Sequence, residues 1–364
     1  MIRSEQEKPI LKAESTDLIL PTAWKSGSLK YDELHPFAVG GTAKLYSTFD
    51  KNLCREVAFK TLHEDLRNSD IETKRFLREA RVTANIQHPG TLPVYELGRD
   101  REGNLFFTMK KVNGRDLREI LLDLSHEVPE VVEQFPLPRL LDILIQVCQT
   151  VAFAHDMGVI HRDLKPANII VGKFGEVYVL DWGLAKVLGS PNLATTEFSE
   201  DPPQMDMQLT PTGRHYGTPL YMSPEVASGD STIDRRSDIF SIGIILFEML
   251  TLRPFLEGED ILEIKKKVLE MPYPLPREVA PSRNIPKDLQ AICMRALKKD
   301  KHNRYKNMSL LLNDLQRFRH GEEVSVYWYS GWEKLSRWNH RNAYATIAIL
   351  SAILGATAYA LFLG

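Results

Sequence analysis

The residues with the clearest chemistry stand in one run, His161-Arg162-Asp163-Leu164-Lys165-Pro166-Ala167-Asn168, between a helical segment and a hairpin-like segment. Asp181 follows at the exit of that hairpin. Carboxylate and amide oxygens are hard ligands, and Mg²⁺ accepts a few of them while it keeps waters and shares phosphate oxygens. Asp163, Asn168 and Asp181 therefore predict a divalent-metal and phosphate site.

A second group of residues lies upstream, on elements that the local sequence predicts. Gly40 and Gly41 fall in a strand–turn–strand pattern, and Lys60 lies on the strand that returns after the turn signal at residues 50–52. Glu79 lies on a helix predicted over residues 70–86, whose apolar face would hold five residues: Ile71, Phe76, Ala80, Thr83 and Ala84.

Longer apolar segments must supply the core that positions these groups. The pattern predicts helices over residues 138–157 and 238–252, and a hairpin formed by residues 168–171 and 176–180. The helix over 238–252 is too short to cross a bilayer, so we expect it to be buried in the protein.

Composition narrows the function further. The 364 residues include 46 Lys and Arg against 48 Asp and Glu, for a net charge of −2, so no basic field supports nucleic-acid binding. The three cysteines are far apart in the sequence and form neither a disulfide framework nor a CxxC metal site. A reduced, cytosolic environment is the best fit.

The motifs occur in the order found in one family. They are the glycine-rich stretch 37–45, Val57-Ala58-Phe59-Lys60, Glu79, the run 161–168, Asp181-Trp182-Gly183 and Ser223-Pro224-Glu225. Because these motifs stand in the family's order, residues 32–318 resemble the bacterial eukaryotic-type (Hanks-type) Ser/Thr protein kinases. The resemblance implies an α+β, bilobal protein kinase fold, with a small β-rich N-lobe (32–111) and a helical C-lobe (112–318).

The resemblance also implies residue roles. Asp163 would accept the proton of the substrate hydroxyl, Lys165 would contact the γ-phosphate, and Asn168 and Asp181 would hold Mg²⁺ or Mn²⁺. Lys60, paired with Glu79, would hold the ATP phosphates. The ATP-binding set as a whole would be Val39, Gly40, Gly41, Leu45, Ala58, Lys60, Glu79, Met109, Lys111 and Val112.

Other motif residues are expected to be structural or regulatory. His161 would pack beneath the metal-binding loop, and Glu225 would pair with Arg304 inside the C-lobe. Thr210 and Thr212 lie in a long polar loop over residues 189–212, and the resemblance makes them candidates for autophosphorylation. A phosphate there would pair with Arg162. The alternative is a solvated Thr-rich loop.

The chain departs from the family pattern at three positions. Ala38 and Ala43 replace two glycines of the phosphate loop, and Trp182 replaces a phenylalanine. Alanine is acceptable where φ is negative, and Trp182 can fill the same apolar pocket. Two alternatives stay open at this point: a pseudokinase scaffold and a kinase of small molecules.

The C-terminal region has a different composition. Residues 343–363 are mostly apolar and uncharged, and as a helix they would extend about 31 Å, enough to span a bilayer. Lys334, Arg337 and Arg341 precede this segment and predict a single-pass protein of the cell membrane with a cytoplasmic kinase domain. A buried soluble helix is the alternative. Residues 1–31 are expected to form a poorly ordered arm.

The juxtamembrane segment, residues 319–342, is rich in aromatic and basic residues. Trp338 is expected among the lipid headgroups. Four further aromatic residues would either lie there too or pack on the C-lobe: Tyr327, Trp328, Tyr329 and Trp332. The span repeats alanine every fourth residue from Ala348 to Ala360, which predicts weak homodimerisation. The expected partners are therefore a protein substrate, the bilayer and a second copy of the chain.

Overall fold

The computed structural model of the chain describes residues 27–187, 219–230, 232–258, 260–341, 351–352 and 354–356. The chain divides into two compact units, Met1–Ser69 with Tyr95–Lys111, and Asp70–Val94 with Val112–Gly364. These units are a β-rich body and a helical body, as the resemblance implies. The boundary differs from the predicted lobes in one respect, because the helix that carries Glu79 belongs to the second unit.

The first unit contains a five-stranded sheet in the order β1-β2-β3-β5-β4. Its strands are β1 (His35–Val39), β2 (Ala43–Asp50), β3 (Arg55–Leu62), β4 (Val94–Arg99) and β5 (Leu105–Lys110). The turn predicted at residues 50–52 joins β2 to β3, and the buried Asp50 carboxylate accepts the amides of Asn52 and Leu53 there. Side chains alternate between the faces of the sheet, so Val57 and Phe59 of β3 pack on Phe106 of β5 on one face.

The first unit begins earlier than the sequence suggested. The arm predicted over residues 1–31 includes Gly27–Lys30, which form a 3-10 helix, and Tyr31, which is buried. The Tyr31 ring contacts Phe59 and Phe106 edge-on, and its hydroxyl donates to Glu96 at 2.7 Å. These residues are therefore part of the folded unit, and the rest of the predicted arm lies outside the described residues.

The second unit is mainly helical. Its helices are α1 (Asp70–Asn85), α2 (Leu117–Ser125), α3 (Pro129–Gln134), α4 (Leu137–Asp156), α5 (Pro224–Ala227), α6 (Arg236–Thr251), α7 (Ile261–Glu270), α8 (Pro276–Val279), α9 (Lys287–Ala296), α10 (Met308–Arg319) and α11 (Gly331–Arg341). Two small sheets accompany them, formed by β6 (Gly114–Asp116), β7 (Val159–Ile160), β8 (Ile169–Gly172), β9 (Val177–Val179) and β10 (Lys186–Val187). Local signals fix several helix starts: the Asp116 and Asn307 side chains accept the amides of Glu119 and Leu310.

Helices α4 and α6 form the centre of this unit and match the two predicted apolar helices closely. Nearly every residue of α6 is buried, and α4 buries Cys148. Within the described part of the chain, α4 is the helix long and apolar enough to cross a membrane, and half of it is buried against the rest of the unit. Its apolar character is therefore that of a core helix.

Helix α1 confirms the predicted element but corrects its buried face. Phe76, Ala80 and Thr83 are buried as expected. Ile71 and Ala84 are exposed, whereas Glu72 and Val82 are buried in their place.

The segment predicted to be juxtamembrane lies largely on the second unit. We call residues 322–330 the C-terminal strap. Its Val324 and Tyr329 are buried, the Tyr329 hydroxyl donates to Asp288, and the Ser325 amide and hydroxyl donate to Asp314. Trp328 is 93% exposed and Trp332, at the start of α11, is 82% exposed. The predicted span over 343–363 lies outside the described residues except for 351–352 and 354–356, which are helical and exposed.

A buried ion pair closes the second unit around α6. Arg304 donates both terminal nitrogens to the Glu225 carboxylate, each at 2.7 Å, and Ser237 donates to the same carboxylate. Burial opposes ionisation of Glu225, but the hydrogen bonds and charge of Arg304 outweigh it and lower the pKa of that carboxyl. The pairing predicted from the motif is confirmed.

Replacing Arg304 with methionine should therefore destabilise the chain strongly. The change leaves the buried Glu225 carboxylate unpaired, and breaking a buried pair from one side costs about 3–5 kcal/mol. Urea unfolding would measure the loss. Arg319→Gln is the matched control, because its pair with Asp142 is exposed and should contribute at most about 1 kcal/mol. Equal effects of the two changes would contradict this assignment.

A second carboxyl, that of the partly buried Glu248 of α6, accepts the Tyr221 hydroxyl at 2.8 Å. Burial raises the pKa of Glu248 to about 7, although the Tyr221 hydrogen bond acts in the opposite direction. The folded chain therefore holds this proton more tightly than the unfolded chain. The resulting stabilisation is complete below the unfolded pKa and is lost as pH rises through about 7.

Glu248→Gln should remove this pH dependence while its amide oxygen still accepts the Tyr221 hydroxyl. We expect the variant to match the parent chain near pH 4.5 and to exceed it in stability by up to about 3 kcal/mol at pH 8. Unfolding midpoints between pH 4.5 and 8 would test this, with exposed Glu270→Gln on α7 as the control. A parallel pH profile for Glu248→Gln and the parent would show that Glu248 ionises as it does in the unfolded chain.

Candidate active site

Three of the predicted site residues meet in the loop that follows β7. Lys165 Nζ lies 2.7 Å from Asp163 Oδ2, and Asn168 Nδ2 donates to the Asp163 carbonyl at 2.8 Å and to Oδ2 at 3.3 Å. The 3-10 helix Pro166–Asn168 holds Asn168 in this position. The sequence-predicted grouping of Asp163, Lys165 and Asn168 is therefore present in the structure.

The Asp163 carboxyl has an increased affinity for protons. Burial raises its pKa, the negative charge of Asp181 adds to the effect, and the charges of Lys165 and His161 oppose it. A carboxyl with a raised pKa beside a cation is suited to accepting a proton from a hydroxyl. Because the charge of Asp181 acts on Asp163, these two carboxyls belong to one electrostatic site.

A buried carboxylate in α6 fixes the backbone of the loop. Asp238 accepts the amides of His161 at 2.9 Å and Arg162 at 2.8 Å, and His155 Nε2 lies 2.7 Å from its Oδ2. Desolvation opposes its ionisation, but the His155 hydrogen bond, nearby histidine charge and the Arg162 amide outweigh it and lower the pKa of Asp238. Arg162 has a φ of 73°, which these bonds help to maintain.

The triplet Asp181-Trp182-Gly183 also has a strained backbone, with φ of 63° at Asp181. Trp182 is fully buried, its ring lies 4.5 Å from that of His161, and its Nε1 donates to the Val179 carbonyl. His161 Nε2 lies 3.0 Å from the Leu180 carbonyl. The expectations that Trp182 fills an apolar pocket and that His161 supports this loop are confirmed.

Glu79 lies beside the same triplet. A Cβ placed on Gly183 would lie 3.3 Å from Asp181 Oδ1 and 3.9 Å from Glu79 Oε2. The Asp181 and Glu79 carboxylates therefore both lie near the backbone of Gly183. Lys60 and Glu79 belong to different units, and their pairing stays a prediction.

In the first unit, the strand register gathers the predicted nucleotide residues on one face of the sheet. Lys60 pairs with Leu45 on β2 and with Phe107 on β5, and Ala58 pairs with Met109. Paired residues point to the same side, as do residues two apart, so all five share the face opposite Val57 and Phe59. Lys60 Nζ lies 5.6 Å from the centre of the Phe107 ring.

The glycine-rich turn is held by a residue that sequence reasoning missed. His63 is buried, its Nε2 lies 2.9 Å from the Gly40 carbonyl, and its amide donates to the Thr42 carbonyl. A lone histidine after a strand carries no pattern that would single it out. Among the described residues, positive φ occurs at neither Ala38 nor Ala43, so alanine is unstrained at both positions.

The remaining predicted residues have simpler surroundings. Val39 ends β1 and is exposed, Gly41 lies in the turn, and Val112 lies in irregular backbone. The Lys111 ammonium donates to Glu56 and Ser47, each at 2.9 Å, so its charge is paired within the first unit. Thr210 and Thr212 lie outside the described residues.

The oxygen donors fit a cation that is only partly held by protein. Asn168 uses its amide nitrogen on Asp163, which leaves Oδ1 as the acceptor, and Asp181 supplies a carboxylate. No group of three or more His, Cys, Asp or Glu in the described ranges could hold a metal by itself. An Asn–Asp pair suits Mg²⁺, which shares phosphate oxygens and keeps waters.

Comparison with known proteins agrees with this geometry. The protein kinase domain family matches residues 31–315. The serine/threonine-protein kinase PknD of Chlamydia caviae is 35% identical over 298 residues, and that of Protochlamydia amoebophila is 34% identical over 317 residues. These alignments cover 80% and 85% of this chain but 31% of each relative, so the chain spans about a third of their length. The chain belongs to the protein kinase family.

Proposed function

We propose that the chain is a Ser/Thr protein kinase that transfers the γ-phosphate of ATP to serine and threonine hydroxyls, including its own. The observation that carries this proposal is the partly buried Asp163 carboxyl, which has a raised pKa and is bonded to Lys165 and Asn168. A positioned base next to a cation is what transfer to a hydroxyl requires from the protein.

Each residue has a distinct role in the proposed reaction. Asp163 orients the hydroxyl and accepts its proton, and Lys165 neutralises charge on the γ-phosphate. Asn168 and Asp181 hold Mg²⁺, which supplies neutralisation of the phosphate oxygens when bound. Lys60 binds the phosphates of ATP, while the apolar residues on its face of the sheet, Leu45, Ala58 and Met109, receive the adenine.

Asp163→Asn should lower phosphate transfer by about 10²–10⁴-fold, because the amide cannot accept the hydroxyl proton. The measurement is incorporation of labelled phosphate from ATP and Mg²⁺ into the chain and into a basic protein, followed by mapping of the modified peptides. Asp142→Asn, an exposed carboxylate paired with Arg319, is the control and should retain activity. We expect phosphate within residues 189–212, at Thr210 or Thr212.

Other results would select the alternatives. ATP binding without any transfer by the parent chain would support a pseudokinase. Phosphorylation of sugars or choline, with proteins unmodified, would support a small-molecule kinase. An Asp163→Asn variant as active as its parent would remove Asp163 from the reaction.

We also propose that residues 343–363 anchor the kinase in the cell membrane with its catalytic domain in the cytoplasm. The support is an uncharged apolar segment preceded by Lys334, Arg337 and Arg341. Exposed Trp328 and Trp332 are consistent with a location near the headgroups, where tryptophan is enriched. The repeated alanines of the span would permit a second copy of the chain to pack closely.

Membrane extraction and cysteine labelling would test the anchor and its orientation together. The full chain should resist alkaline extraction, and Ile353→Arg should reduce insertion, since a charge at mid-bilayer costs about 2.5–3.5 kcal/mol. Leu335→Arg on α11 lies outside the proposed span and is the control. Cys54 is exposed whereas Cys148 and Cys293 are buried, so an impermeant maleimide should label Cys54 only in inside-out vesicles. Labelling of Cys54 in right-side-out vesicles would show that the domain lies outside the cytoplasm and would contradict the proposed orientation.

A further inference from the structure

A cavity of about 600 Å³ opens on the second unit, between α9, the start of α10 and the C-terminal strap. Three cationic side chains line it, Arg295, Lys298 and Lys306. Met294, Leu310 and Val326 supply apolar wall. Its size is within the range of small-molecule sites. None of the residues that have a role in the proposed phosphate transfer lines it.

The charge in this cavity is not balanced by its walls. No aspartate or glutamate is among the described residues that line it, and no ion pair in the described part of the chain involves Arg295, Lys298 or Lys306. A fourth cation, Arg304, lies in the wall but is fully engaged with Glu225. The Asp314 carboxylate lies behind the lining residues Tyr305 and Ser325, so three cations face the cavity against one nearby carboxylate, and the excess positive charge attracts an anion.

The walls of the cavity are fixed by hydrogen bonds. The buried Asp314 accepts the Tyr305 hydroxyl at 2.9 Å, the Ser325 amide at 2.8 Å and the Ser325 hydroxyl at 2.7 Å. Tyr305 and Ser325 both line the cavity, so one carboxylate holds its floor to the strap. Val324 and Tyr329 anchor the strap on either side. A cavity held in this way needs little rearrangement to bind a ligand.

We propose that this cavity binds the phosphate group of a small anion, either a free phosphate compound or the headgroup of an anionic phospholipid. Arginine and lysine donate charge-assisted hydrogen bonds to phosphate oxygens. Three such side chains line this cavity. The apolar wall of Met294, Leu310 and Val326 favours the lipid, whose glycerol and first acyl carbons would cover it. The site is separate from the proposed active site and does not depend on phosphate transfer.

Ligand binding to the full chain, reconstituted in phosphatidylcholine nanodiscs, would test the proposal. The probes are dihexanoyl phosphatidylglycerol below its micellar concentration, inorganic phosphate and dihexanoyl phosphatidylcholine, each titrated by calorimetry. The triple variant Arg295→Gln, Lys298→Gln, Lys306→Gln should lose at least about tenfold in affinity for the anion. The control variant Lys173→Gln, Lys265→Gln, Lys266→Gln removes the same charge elsewhere and should bind like the parent.

The outcomes separate the sources and can overturn the site. Variant-sensitive binding of phosphatidylglycerol alone would assign a lipid headgroup, and variant-sensitive binding of inorganic phosphate would assign a free phosphate compound. Absence of binding, or equal affinity in the cavity variant and the parent, would overturn the proposal. The substituted side chains are exposed, so unfolding midpoints should be unchanged and a folding defect would be recognised. Loss of kinase activity would not affect the result.

Discussion

The buried carboxylate of Asp238 is the constraint on which the loop of residues 161–168, the proposed catalytic loop, depends. It sits in α6, the most completely buried helix of the second unit, and takes up the amides of His161 and Arg162. A charge in such a position is stable only because each oxygen is satisfied by a donor. The loop therefore inherits the rigidity of the core helix.

The two strained residues of the site are explained by the same arrangement. Left-handed backbone at Arg162 and Asp181 is unfavourable for non-glycine residues and persists only where the surroundings determine it. Asp238 fixes the first of these residues, and buried Trp182 with His161 fixes the second. Strain at one position is thus supported by packing and hydrogen bonds at another, which keeps Asp163 and Asp181 within electrostatic range of each other.

Most of the helices and strands could be predicted from the sequence, but fewer of the contacts that their side chains make. The apolar periodicity of α4 and α6 is long and regular, so both helices were predicted closely, and the run 161–168 placed Asp163, Lys165 and Asn168 together. Burial on α1 was less predictable, because Glu72 is buried and Ile71 exposed, and only the packing partners decide which side of a helix is covered. His63 was missed because its role depends on the carbonyl of Gly40, and backbone contacts leave no pattern in the side-chain sequence.

The C-terminal strap shows why composition alone left two readings open. Aromatic residues beside basic ones are equally typical of a membrane interface and of an amphipathic packing segment. The structure buries one of these aromatic side chains and leaves another exposed. Tyr329 is buried and bonds Asp288, whose carboxylate also pairs with Arg337, while Trp328 points away from the unit and is exposed.

Asp288 and Asp314 therefore do for the strap what Asp238 does for the catalytic loop. Each is a buried acidic residue on a core helix that accepts hydrogen bonds from a segment without regular structure of its own. Such bonds are strong because the acceptor is charged and shielded from water. The bonds to Ser325 and Tyr329 fix the strap to α9 and α10, and through the strap they fix the start of α11 on the second unit.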